Sequence, residues 1–128
     1  RRRIMSATTT VTLLTTTTFG TEQGNYDGSS TTFESADVKG DGYYGFADGV
    51  HTVQTRVTGL IGTVKIQGTL AGTPVSTDWV DIESIVTSDG SSAITDSYLN
   101  NFTGNYTWIR IAVSGFTAGT INNIYLAH

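Results

Sequence analysis

Residues 50–57 read Val50-His51-Thr52-Val53-Gln54-Thr55-Arg56-Val57. Val53, Thr55 and Val57 fall on one side of a two-residue period, with Gln54 and Arg56 on the other. Successive side chains of a strand point to opposite faces, so this is the pattern of a half-buried β-strand. The period returns on both sides of the stretch. In residues 63–70, Val64, Ile66 and Leu70 oppose Lys65 and Gln67. In residues 79–85, Val80 and Ile82 oppose Asp81 and Glu83. In residues 107–113, Ile109, Ile111 and Val113 oppose Trp108 and Arg110. Residues 9–14, 31–38, 98–102 and 120–126 read as further strands. Turn chemistry separates them at 58–60, 71–74, 104–105 and 116–119, with a polar loop at 87–93. Strands at intervals of about ten residues, with turns between and no helical stripe, predict an all-β chain. The expected architecture is a single antiparallel β-sandwich, or jelly-roll-like, domain. It spans residues 19–128 and follows a Thr-rich extended N-terminal arm over residues 1–18. Within the arm, residues 9–14 form an edge strand or reach out to a neighbour.

Composition agrees with that reading. The chain has 128 residues, the size of one domain, and 38% are hydrophobic. Its 15 glycines and single proline fit many tight turns. Charged residues are 14%, too few for long solvated helices. Net charge is −4, and setting aside Arg1, Arg2 and Arg3 leaves four basic against 11 acidic residues, a balance of −7. An acidic body disfavours a nucleic-acid partner. With no cysteine there are no disulfides and no thiolate metal sites. No apolar run is long enough for a membrane helix, and the N-terminus has no secretory h-region. The basic Arg1-Arg2-Arg3-Ile4 ahead of Met5 reads as a disordered tip.

The residue types of catalysis are sparse. There is no thiol nucleophile, no Gly-x-Ser-x-Gly elbow and no phosphate-cradling glycine motif. His51, at a strand start, reads as a surface residue, and the second histidine is His128. Asp37, Asp41 and Asp48 are dense enough for a hard cation such as calcium, yet Asp-Gly pairs are also what hairpin turns use. The turn is the preferred reading. Asp81 and Glu83, two apart on one strand, read as a solvated face rather than a glycosidase pair. No catalytic residue, metal site or cofactor is expected, and the chain is read as not an enzyme. Residues 39–49 read as a hairpin or an exposed aromatic loop carrying Tyr43, Tyr44 and Phe46, and Tyr26, in the Gly-rich loop of residues 20–30, reads as an exposed aromatic of the same kind. Trp79, Trp108 and Arg110 fall on the polar face of their strands. Tyr43, Tyr44, Phe46, Trp79, Trp108 and Arg110 are the six candidate contact residues, because exposed aromatics and arginine mark interfaces and also stack on sugars.

Specific stretches carry a family likeness. They are Gly62-Thr63-Val64-Lys65-Ile66-Gln67-Gly68-Thr69-Leu70 and Trp79-Val80-Asp81-Ile82, then Gly104-Asn105-Tyr106-Thr107-Trp108-Ile109-Arg110 and Gly119-Thr120-Ile121. From Val57 onward the chain resembles a β-sandwich module of tailed-bacteriophage virion structural proteins. The resemblance implies that the "GxYxWIR" strand pairs with the "GTI" strand. It also implies a virion location and a structural role, with a head decoration or cement subunit favoured. Such a subunit docks as a homo-oligomer on other virion proteins, a major capsid or tail protein. A tail, neck, baseplate or fibre component is the alternative, as is a carbohydrate-binding adhesion module that takes a surface glycan.

Overall fold

The computed structural model describes residues 10–44, 49–88, 90 and 92–128, with Tyr44 described in its backbone only. The chain is all-β and antiparallel, as the alternation predicts. Its strands are β1 (Thr10–Leu14), β2 (Thr17–Thr18), β3 (Phe33–Glu34), β4 (Val38–Lys39), β5 (Val50–Thr69), β6 (Val80–Thr87), β7 (Ile94–Thr103) and β8 (Trp108–Ala127). A four-residue helical turn, α1 (Asp41–Tyr44), follows β4, and a 3-10 turn at Ser76–Asp78 precedes β6.

Two strands of 20 residues, β5 and β8, pair along their whole length and run through the fold. The first half of β5 takes β7 on its other edge, and the second half takes β6. β8 takes β3 and β4 along its first half, then β2 and β1 along its second. One continuous sheet of eight strands therefore makes two layers that share β5 and β8. The crease lies where glycines with positive φ interrupt the ladder, at Gly59, Gly62, Gly115 and Gly119. Val53, Val57 and Leu60 before the crease and Val64 and Ile66 after it belong to one buried cluster. Ile109, Ile111, Val113, Phe116, Ile121, Ile124 and Leu126 supply the β8 side of the same core.

Two expectations change. Residues 58–60 and 116–119 are bends inside β5 and β8, not turns between separate strands. Glycine there lets a strand change direction without losing its partner. The "WIR" and "GTI" segments, made partners by the resemblance, lie on one strand, β8, and both pair with β5. Of the two alternatives for residues 9–14, the described residues take the edge strand: β1 and β2 are hydrogen-bonded to this chain's own β8, with Leu13 and Thr17 buried. The Thr-rich segment is an edge of the sheet there. Residues 39–49 contain no hairpin among the described residues; β4 leads into α1.

Residues 19–33 make few ladder bonds yet deliver aromatic rings to the core. Tyr26 is buried against Phe33 (ring centroids 4.8 Å apart) and Phe116 (5.3 Å), and Phe19 meets Phe116 edge-on at 5.7 Å. The segment is tied by Asp27. Its carboxylate accepts the Ser30 hydroxyl at 2.7 Å and the backbone N–H groups of Ser29 and Ser30 at 2.9 and 2.8 Å. The hydroxyl bond first, and the two amide bonds after it, hold the Asp27 carboxyl at about 2, below its ordinary 3.8. A depressed folded pKa adds stability above the unfolded value, lost as pH falls through the folded one. Asp27→Asn is therefore expected to lower the melting temperature at neutral pH and to flatten the acid limb between pH 3.8 and about 2, below which the two proteins converge. An unchanged acid limb in a thermal melt series would remove Asp27 from that role.

Candidate functional site

Four of the six sequence candidates come together on the outer face of the second layer. Residues paired across strands share a face, so Lys39, Trp108 and Thr69 form one row. Arg110, Gln67 and Asp81 form the next. Tyr43 packs on Trp108 with centroids 5.1 Å apart, and the Lys39 ammonium lies 4.6 Å from the Tyr43 ring. The Trp108 indole N–H donates to the Gly72 carbonyl at 3.0 Å. Arg110 lies over the Trp79 ring at 4.3 Å, and its Nε–H donates to Gln67 Oε1 at 2.8 Å. Gln67 passes the chain on to Asp81 at 2.8 Å, where Lys65 also donates at 3.3 Å. Those bonds, Gln67 first and Lys65 second, hold the Asp81 carboxyl below its ordinary value. Cation–ring contacts of this half-exposed kind contribute about 0.5–1 kcal/mol each. Phe46 and Asp48 lie outside the described residues, as does the Tyr44 side chain.

Beside this row runs an apolar groove of about 460 Å³, lined by Gly68, Leu70, Ala71, Val80 and Tyr106 among others. Leu70 is 73% exposed, Val80 64% and Val75 62%. The alternation set Leu70 inward with Val64 and Ile66, but β5 ends at Thr69 and Leu70 turns into solvent. Val80 was also expected to share a face with Ile82. Val80 instead stands opposite Gly68 at the exposed start of β6, and the irregularity at Ile82 sets Asp81 opposite Gln67 and Glu83 opposite the core residue Ile66. Asp81 and Glu83 are therefore separated, and Glu83 is half-buried. Its Oε2 is shielded from solvent with no hydrogen-bond partner among the described residues.

A second cluster sits at the open end of the sandwich, away from the crease. His51 begins the inward row of β5, and His128 follows the end of β8, one step past the Thr52–Ala127 pair. Both are buried, against the expectation that His51 is a surface residue. Phe102, its partner on β7, stacks flat on the His51 ring at 4.9 Å and 2°. Asp41, fully buried, arrives from the other layer. It is flanked by Gly40 and Gly42, whose N–H groups donate to the carbonyls of Thr107 and Tyr106. A Cβ at Gly42 would lie 2.1 Å from the Asn105 carbonyl oxygen, so only glycine permits this approach. His128 Nδ1 lies 2.6 Å from Asp41 Oδ1. The Asp41 backbone N–H donates to His51 Nε2 at 3.3 Å, and His51 Nδ1 is 2.8 Å from the Gly49 carbonyl. Among the described residues these three are the group able to offer a metal converging donors. Asp37, grouped with Asp41 in the calcium reading, is exposed and lines a polar groove with Asp27 and Glu34.

No protein-family model matches the chain, and no curated protein matches it.

Proposed function

We propose that this chain is a non-enzymatic structural subunit of a tailed-phage virion, a head decoration or cement protein that docks on the particle as a homo-oligomer. The observation that carries the docking part is the concentration of exposed Leu70, Val75 and Val80 in one connection, beside the Tyr43–Trp108 and Arg110–Trp79 pairs. Apolar side chains gathered round a groove and rimmed by aromatics and arginine have the make-up of an interface centre. The particle itself rests on the resemblance from Val57 onward. A sugar platform is the weaker reading, since stacking needs open ring faces. Arg110 takes one face of Trp79, and Trp108 packs against Tyr43.

The test is solution mass by light scattering, together with co-sedimentation on purified phage heads and tails. The wild-type chain is expected to form a discrete oligomer or to bind heads. Leu70→Asp with Val80→Asp is expected to abolish both, with melting nearly unchanged because both sites are exposed. A wild-type chain that stays monomeric and binds neither heads nor tails overturns the proposal.

A further inference from the structure

We propose that Asp41, His51 and His128 bind one divalent first-row transition-metal ion, of the class of Zn2+ or Co2+, at the open end of the sandwich. Three observations lead there. The donors belong to three separate elements, α1 and the ends of β5 and β8, and one donor atom of each lies within 4.8 Å of the others. All three residues are buried, so a carboxylate and two imidazoles have been taken out of water at one point. That is costly unless their polar atoms are satisfied by each other or by a cation. Third, His51 has its Nδ1 fixed on the Gly49 carbonyl, which leaves Nε2 as the lone-pair nitrogen; it accepts the Asp41 backbone N–H at a long 3.3 Å, a bond that a metal ion would displace. A ring oriented by a carbonyl on its far nitrogen is the usual posture of a metal-ligating histidine.

Two imidazole nitrogens and one carboxylate oxygen suit a borderline ion and not calcium, which takes six or more oxygens. Bonds of about 2.1 Å put tetrahedral donors about 3.4 Å apart. The Asp41–His128 contact is 2.6 Å. An ion would enter by displacing the proton of that hydrogen bond to His128 Nε2 or to solvent, parting those two side chains by under about 1 Å and drawing in donors that stand up to 4.8 Å apart. Three protein donors leave one tetrahedral position for water. Bound there, the ion ties the β4–α1 end of one layer to the strand ends of the other.

The chain contains two histidines and no cysteine, which makes the test specific. The full chain, without a histidine tag and stripped with chelator, is titrated with Co2+, Zn2+ and Ca2+. The proposal expects a visible Co2+ absorption band saturating at one equivalent and displaced by Zn2+ but not by Ca2+. It also expects melting to rise by about 10 °C at a hundredfold excess of Zn2+ over Kd. His128→Gln and Asp41→Asn are expected to lose the band. No binding at one equivalent, or a band that survives in a folded variant, overturns it. Should the variants fail to fold, the imidazole 15N resonances of the wild-type chain decide. Both histidines must shift with one equivalent of Zn2+, and a resonance of either one left unmoved overturns the site.

Discussion

Phe116→Ala is expected to destabilise the fold by about 3–5 kcal/mol and to lower its melting temperature by roughly 10–20 °C. Phe116 has no exposed surface and touches Phe19, Tyr26 and Phe33, with centroids 5.7, 5.3 and 5.9 Å away. It sits just past the Gly115 bend, and its N–H donates to the Thr31 carbonyl. The side chain therefore holds residues 19–33 onto the crease, where they have little ladder pairing of their own. Truncation leaves a cavity among the rings of Phe19, Tyr26 and Phe33, and Phe33 is tied by its own pairing with Val113, so collapse is incomplete. Against a typical total of about 5–15 kcal/mol the loss is large. Phe116→Leu keeps much of the volume and is expected to cost visibly less. Chemical denaturation of the two variants checks this. Equal and small losses would mean that residues 19–33 are held by something other than this ring.

Strand content was legible because both long strands are amphipathic at period two. Val53, Thr55 and Val57 and then Ile109, Ile111 and Val113 are buried in the parity the alternation assigns. Strand length was not. Gly59 and Gly119 look like turn residues, and local chemistry carries no mark that separates a turn from a bend within a paired strand. The difference lies in long-range pairing: Thr58 with Thr120 and Ile61 with Ala118 keep β5 and β8 together through the crease. The core role of Tyr26 was equally hidden, since its neighbours are loop formers and its burial depends on Phe33 and Phe116.

The outer-face residues were legible for the same reason as the strands, since Trp108 and Arg110 share a parity opposite to the core row. The buried triad was missed, although part of its signal was present. His51 has the parity of Val53, Thr55 and Val57, and His128 that of Ile124 and Leu126. Extending each inward row by one step places both rings inside. Asp41 had no such signal. Gly40 and Gly42 read as turn chemistry, whereas their use is close contact with the backbone of residues 105–107. The irregularity at Ile82 in β6 hid the facing of Glu83 likewise, because a single extra residue reverses the facing that follows it.

Gly119→Ala is expected to cost about 3 kcal/mol or more, through strain and overpacking acting together. Gly119 has φ +94, a conformation L side chains rarely adopt. A Cβ there would lie 2.3 Å from the Gly59 carbonyl oxygen, 2.5 Å from the Gly59 carbonyl carbon and 2.6 Å from Leu60 Cα. All three are backbone atoms of β5, so no side-chain rotation relieves the contact. Gly119 also accepts the Phe19 N–H at 2.9 Å, and pushing β8 away would loosen the entry to residues 19–33 as well. Gly59→Ala is the matched control. Its φ is +61, but an added Cβ meets nothing within 4 Å. It should cost only the left-handed penalty, about 1–2 kcal/mol. The gap between the two variants in chemical denaturation measures how closely the long strands approach at the crease. A clear gap supports one sheet folded on itself at these glycines. Equal losses would mean that the close approach of β5 and β8 is absent, and that the bend is set by backbone conformation alone.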